Sequence, residues 1–302
     1  MIQSLERKLG NYSIIMVLTR MQELGADTLR WLYEKNKDNT VRYVLGVKGK
    51  NPLVCIGINP STAEPDKLDN TLKSVERVAK TNGYDGWIML NVYPQRATDP
   101  NNLHERRDYD SHCNNLEQIE KIMKEYQPDI WAAWGTIITR KDYLLNCLYR
   151  IVDLSKAYNC KWFSAGTISK KGHPHHPLYL KKDVKLDSFD IDGYIQEAST
   201  DRVFRYIKDL RKKYIDSESD FLETVYRADL MDRHYASNLT TSPIHIEEEM
   251  KKLGDADYVF SKALLTAILR EDHFANGSLI ERIENGDLLK VLKRLKKLKS
   301  EV

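Results

Sequence analysis

Cysteine is scarce in this chain. The four present, Cys55, Cys113, Cys147 and Cys160, are scattered through 302 residues and form no Cys-x-x-Cys pair. A four-cysteine zinc site or an iron–sulfur cluster of ordinary spacing is therefore not expected. The thiols are expected to be free and buried, in a reducing compartment. Long apolar runs are missing too. Nothing approaches the ~20 apolar residues of a membrane span, so no membrane partner is expected. Near the N-terminus the apolar run extends only from Tyr12 to Leu18, with no small-residue cleavage site after it. No signal peptide is expected, and the expected compartment is the cytoplasm. An excess of one charge is also lacking: 47 Lys+Arg face 44 Asp+Glu, a net +3. That excludes a histone-like polycation but leaves room for a local basic stripe on nucleic acid. With 41% hydrophobic and 30% charged residues, the chain has both a core and a solvated surface.

What is present is an alternation. Residues 1–40 read as a helical lead-in, with Leu29, Leu32 and Tyr33 at helical spacing. Arg42–Val47 (RYVLGV) reads as a strand, and 53–58 (LVCIGI) as a short apolar run of the buried parallel kind. Residues 72–82 read as a helix with Leu72, Val75, Val78 and Ala79 on one face. Strand 87–92, helix 116–126, strand 130–134, helix 143–154 and strand 162–165 repeat the unit. Such alternation predicts an α/β fold, a three-layer α/β/α sandwich around a central parallel sheet. Ligands of such sheets bind at the carboxyl ends of the strands. A polar linker is expected over 183–199, and strand signals vanish beyond it. Helical runs follow at 202–215, 221–235, 261–270 and 279–299. The expected domains are 1–195, catalytic, and 196–302, an all-helical accessory domain.

Four polar segments follow the strands. Gly57-Ile58-Asn59-Pro60-Ser61-Thr62 places an amide at a strand end, where it orients a water, binds a base edge or satisfies a turn. Leu90-Asn91-Val92-Tyr93-Pro94, with Arg96 close behind, places a second amide at a second strand end. An amide offers donor and acceptor together, which suits the edge of a pyrimidine. Trp134-Gly135 ends a third strand. Lys170-Lys171-Gly172-His173-Pro174-His175-His176-Pro177-Leu178-Tyr179 concentrates histidines beside lysines. His173 and His176 at this spacing suit one metal ion. A histidine donating to a developing oxyanion suits the setting better, with the lysines on phosphates and Leu178 and Tyr179 against a disturbed base stack. No metal is expected. In the C-terminal part, Leu288, Val291, Leu292, Leu295 and Leu298 form an apolar stripe beside Lys290, Lys293, Arg294, Lys296, Lys297 and Lys299. That pattern is a packed helix with a solvated face, or a helix that tracks phosphates.

Taken in order, the segments resemble the uracil-DNA glycosylase superfamily. Gly57-Ile58-Asn59-Pro60 is similar to the GINPG motif of the mismatch-specific enzymes. Leu90-Asn91-Val92 resembles the LLLN strand of the main uracil enzymes. Residues 91–100 resemble the matching stretch of the thermophile-type family. Trp134-Gly135 resembles the strand end that follows, and His176-Pro177 matches the start of HPSP. Residues 42–180 as a whole also resemble a family of unknown function (DUF1643), and the C-terminal part another (DUF6508). The chain departs from the main uracil enzymes in carrying Asn59 where GQDPY has an Asp, and Leu178-Tyr179 where HPSP has Ser-Pro.

The resemblance implies DNA as partner, no cofactor, and a monofunctional glycosylase that flips a nucleotide into the strand-end pocket. His176 would stabilise the negative charge on the departing base, and Asn59 would hold the attacking water. Asp69 is a candidate general base, or simply a helix N-cap. Asn91, Tyr93 and His173 are candidate base contacts. Arg96, Lys170, Lys171, Leu178 and Tyr179 are candidate DNA contacts. Ser61 or Thr62 stands nearest the Tyr of GQDPY, which excludes bulky groups at carbon 5. A smaller residue there implies a modified pyrimidine of phage DNA, for example a glucosylated one, as substrate, and so a role in antiviral defence. Uracil or mismatch repair is the conservative alternative. A DNA-binding module without catalysis, a modified-nucleotide hydrolase and a metal-dependent nuclease are the others.

Overall fold

The computed structural model describes residues 30–274 and 277–301. The expected lead-in helix, up to and including Leu29, lies outside them, as does the N-terminal apolar run. The chain divides into two compact units, Met1–Phe189 and Asp190–Val302.

The first unit is α/β, built on a seven-stranded mixed sheet. Its strands are β1 (Trp31–Lys35), β2 (Arg42–Val47), β3 (Pro52–Gly57), β4 (Gly86–Asn91), β5 (Asp129–Ala132), β6 (Lys161–Ala165) and β7 (Leu186–Ser188). They lie in the order β1-β2-β4-β3-β5-β6-β7. β3 runs parallel to β4 and to β5, and β5 parallel to β6. β1–β2, β2–β4 and β6–β7 are antiparallel. The parallel sheet expected from the sequence is thus present at the centre, and the edges that border it are antiparallel. The reason is connectivity. A parallel neighbour needs a crossover helix, whereas a tight turn joins β1 to β2 and no α-helix lies between β6 and β7.

β1 also corrects the helical assignment of Leu32 and Tyr33. Trp31 and Tyr33 pack on the core beneath β1 by strand alternation, a period that the helical spacing of three leucine and tyrosine positions had hidden.

Helices cover the sheet. α1 (Asn70–Thr81) packs on β3 and β4 through Leu72, Val75, Val78 and Ala79, all buried. The sheet face below it carries Leu53, Cys55, Trp87, Met89 and Trp131. The intervening residues Val54, Ile56, Ile88, Leu90, Ile130 and Ala132 are equally buried and point the other way by alternation. α2 (Tyr109–Tyr126) packs against β2 and against α3 (Asp142–Ala157). α2 begins two turns before the expected residue 116. Asp108 caps it by accepting from the Ser111 amide at 2.9 Å. The early turns escaped notice because their buried positions are polar: His112 and Asn115.

His112 makes stability depend on pH. Its ring is 4% exposed. Burial, then the charges of Arg107 and Arg150, push its pKa down to about 4. In the unfolded chain the ring binds a proton near its ordinary 6.5. Between those values the unfolded state holds more protons than the folded one. Stability is therefore complete above pH 6.5 and falls as the pH drops toward 4, by about 2–3 kcal/mol. Denaturant unfolding at pH 7 and pH 4.5 is expected to show that loss, and His112→Gln is expected to flatten it.

The second unit is helical. It comprises α4 (Ile191–Tyr206), α5 (Leu210–Asp216), α6 (Glu218–Arg227), α7 (Tyr235–Asn238), α8 (Ile246–Met250), α9 (Tyr258–Phe274), α10 (Ser278–Glu284) and α11 (Asp287–Ser300). The polar linker expected over 183–199 is corrected: it contains β7 and the first half of α4. Asp190 caps α4 through the Gly193 amide at 3.0 Å, and Val203, Phe204 and Tyr206 join the helical core. The density of Asp, Ser and Glu in 183–199 concealed both elements. On α11, Leu288, Val291, Leu292 and Leu295 are fully buried, so the stripe is a packing face. Arg294 donates to the Ala256 carbonyl, and Lys299 pairs with Glu197 at 2.7 Å. Among the described residues no helix is long and apolar enough to cross a membrane.

Candidate active site

β3 and β4 end side by side, with Gly57 opposite Asn91. The chain leaves β3 through a polar loop and reaches α1. Above these strand ends lies a cleft of ≈ 690 Å³. Its walls come from seven stretches: Arg42; the end of β3 and the loop after it; the first turn of α1 with its cap; Met89 on β4; the segment 97–100 after β4; the turn after β5; and the segment 169–179 after β6. That is the place a doubly covered sheet offers a ligand.

Asn59, Asp69 and His176 all line this cleft. Asn59 donates its amide to the Ala97 carbonyl at 2.7 Å and to the Pro60 carbonyl at 3.1 Å. These bonds lock the loop after β3 to the loop after β4. They also fix the rotamer, because both amide hydrogens face carbonyls. Oδ1 is left as an acceptor. Asp69 is the N-cap of α1, with one oxygen accepting from the Leu72 amide at 2.9 Å. It is therefore both a cap and a wall of the cleft, and it is the acidic side chain of the lining.

His176 heads a short 3-10 turn, Pro177–Tyr179. Its Nδ1 accepts from the Leu178 amide at 3.3 Å. A ring nitrogen that accepts carries no proton, so Nε2 carries it. Burial holds the ring's pKa below 6.5, against an opposing pull from the Asp69 carboxylate. Near neutral pH the ring is thus an uncharged donor. One contact places it: Ser74 on α1 donates to the Pro177 carbonyl at 2.7 Å. Gly135, whose φ of +60 favours glycine, turns the chain beside it.

Gly57 opens the floor. A Cβ there would strike the Met89 methyl at 2.5 Å and approach the Asn91 Oδ1 to 3.4 Å. Asn91 itself is fully buried. Its carbonyl accepts from the Asn115 amide at 2.9 Å, while both polar atoms of its side chain are unpartnered. Buried amides are ordinarily satisfied, so Asn91 stands out. It lies beneath the cleft rather than in its lining.

The other sequence candidates are distributed differently. Ser61, Leu178 and Tyr179 line the cleft; Thr62, Tyr93, His173, Arg96, Lys170 and Lys171 do not. Tyr93 is corrected from a base contact to a core post. It is fully buried, its hydroxyl meets His104 Nδ1 at 2.9 Å and accepts from the Asp108 amide at 2.9 Å, and its ring leans on Tyr143. Arg96 is corrected from a phosphate contact to a staple. Its guanidinium donates to the Ser61 and Ala63 carbonyls and to the Tyr33 hydroxyl. His173 closes a turn in which its carbonyl accepts from the Ser169 amide at 3.0 Å. Lys170 and Lys171 are exposed on that turn, and Thr62 is exposed on its own loop. Leu178 and Tyr179 stand 44% and 80% exposed on the rim. Among the described residues no group of three or more His, Cys, Asp or Glu is placed to hold a metal ion.

Sequence reasoning missed Arg42, which is 2% exposed yet lines the cleft. The available signal was an arginine heading an otherwise apolar strand.

Fold and site together define an α/β unit with an open cleft at the carboxyl ends of parallel strands, followed in the chain by a helical unit. Residues 42–178 match the model of a family described as a protein of unknown function (DUF1643). Residues 195–301 match a family of unknown function (DUF6508). No curated protein and no solved structure matches the chain. The cleft residues from Arg42 to Leu178 fall within the first match.

Proposed function

We propose that the first unit is a DNA glycosylase of the uracil-DNA glycosylase superfamily, an α/β/α sandwich in plan. It hydrolyses the N-glycosidic bond of a flipped-out pyrimidine bearing a bulky group at carbon 5. The observation that carries this is the meeting of Asn59, Asp69 and His176 in one cleft at the strand ends. The chemistry needs three services, and these residues offer them. Water attacks carbon 1′ of the sugar as the carbon–nitrogen bond breaks. The bonding electrons leave with the base, whose oxygen gains negative charge. The Nε2–H of His176 donates to that oxygen. The Asp69 carboxylate accepts the proton from water, and the Asn59 Oδ1 accepts a hydrogen bond that orients it. A flipped nucleotide needs a pocket of a few hundred Å³, and ≈ 690 Å³ leaves room for a sugar on the base. Ser61 in the lining is small, which suits a substituted carbon 5. Leu178 and Tyr179 on the rim suit the gap left in the base stack.

The test is direct. The protein is incubated with DNA containing glucosylated hydroxymethylcytosine, with uracil-containing DNA and with unmodified DNA. Abasic sites are read by alkali cleavage, and freed base by mass spectrometry. Base release from the glucosylated DNA is expected. Release from uracil DNA alone would replace antiviral defence with repair, and no release from any would overturn the glycosylase.

A further inference from the structure

We infer that Arg42 is the receptor for an oxyanion, a phosphate or carboxylate group of the molecule that enters the cleft. The argument starts from a deficit. A guanidinium buried to this degree is ordinarily paired with a carboxylate, because an unpaired buried charge is costly. Arg42 has no carboxylate at ion-pair distance among the described residues. Its hydrogen bond is from Nη1 to the Ala63 carbonyl at 3.1 Å, and its Nε–H is buried without a partner. Yet the side chain lines an open cleft. Five N–H groups in a planar fork thus have one neutral acceptor.

The surroundings raise the need for an anion. Arg96 lies close enough to repel Arg42, and its own Nε–H is also buried without a partner. Burial and that repulsion push the Arg42 pKa down to about 10, with Asp69 and Tyr33 pulling it back up. The first turn of α1 lines the same cleft through Asn70 and Thr71, and a helix start favours negative charge. Asp69 opposes an anion there, but the two arginines outnumber it. Two oxygens of a phosphate or carboxylate match the fork of Arg42 in a bidentate grip.

Two sources supply that chemistry: the backbone phosphate of a bound nucleotide, or an acidic group on a modified base. The inference rests on the glycosylase reading only for that choice of sources. Its test therefore excludes base release. In the full chain the Nε–H resonance of Arg42, assigned through the bonds, is followed while inorganic phosphate is added. A saturable shift is expected. Calorimetry is expected to show phosphate binding weakened about tenfold or more by Arg42→Lys, which keeps the charge and loses the fork. A resonance that does not move, or a lysine variant that binds phosphate as well as wild type, overturns the site. If the variant does not fold, the wild-type resonance decides. An oligonucleotide carrying an abasic analogue and the nucleoside 5-carboxycytidine are then added separately. A shift with the first assigns backbone phosphate, and with the second an acidic base. A shift with neither marks the phosphate response as adventitious and overturns the inference. Failure here leaves base release to be judged on its own assay, and the absence of base release leaves the anion site to be judged on this one.

Discussion

His176→Ala is expected to lower the rate of base release by about 10²–10³-fold, the usual cost of removing one donor from a developing oxyanion. The geometry assigns the loss to one proton. Nδ1 is occupied as an acceptor of the Leu178 amide, so the donor is Nε2–H. The bond broken by the substitution on the Nδ1 side is a long one at 3.3 Å to an exposed residue. Folding is therefore expected to survive, with the Pro177 carbonyl still held by Ser74. Single-turnover release from the preferred DNA, with binding measured separately on an abasic analogue, checks the result. A fall in rate with unchanged binding supports the role. A rate within about threefold of wild type would remove His176 from the chemistry, since even one neutral hydrogen bond contributes about that factor.

Asp69→Asn is the second large effect, expected at about 10²–10⁴-fold on the same rate. This substitution separates two roles that Asp69 combines. Asn is as good an N-cap as Asp, so α1 keeps its start and stability changes little. What disappears is the charge and the ability to take a proton from water. Were Asp69 only a cap, Asn would leave both stability and rate unchanged. Asp69→Ser, a further good cap without a carboxylate, should repeat the loss. Retention of full activity in either variant would shift the base role elsewhere in the cleft.

The central strands were legible in the sequence for a simple reason. A strand buried on both faces is an unbroken apolar run, and PLVCIG, GWIMLN and DIWA read as such. α1 was legible because one face is apolar at helical spacing. β1 was not, because Trp31 and Tyr33 acquire their inward face only by pairing with β2. The first turns of α2 were hidden because burial there falls on His112 and Asn115. The site divides in the same way. Asn59 and His176 were candidates from motif order, and Asp69 a candidate base or helix cap; the fold lines one cleft with all three. Tyr93 and Arg96 were misplaced because local sequence cannot tell a tyrosine or arginine aimed at a ligand from one spent on a neighbouring carbonyl or histidine. Arg42 was missed because its place in the cleft depends on a loop more than twenty residues away, at Ala63.

By itself the sequence determined the periodicities: which segments are buried strands, which are amphipathic helices, and where polar residues interrupt a strand end. Those follow from the spacing of apolar side chains along the chain, which is local. Only the tertiary structure decided that the sheet is mixed and that seven separate stretches enclose one cleft. Only it decided which polar side chains are already spent, as Arg96 is on the Ser61 carbonyl, and which are held buried without a partner, as the Arg42 Nε and the Asn91 amide are. Those facts depend on distances between residues far apart in the chain, and such distances exist only once it has folded.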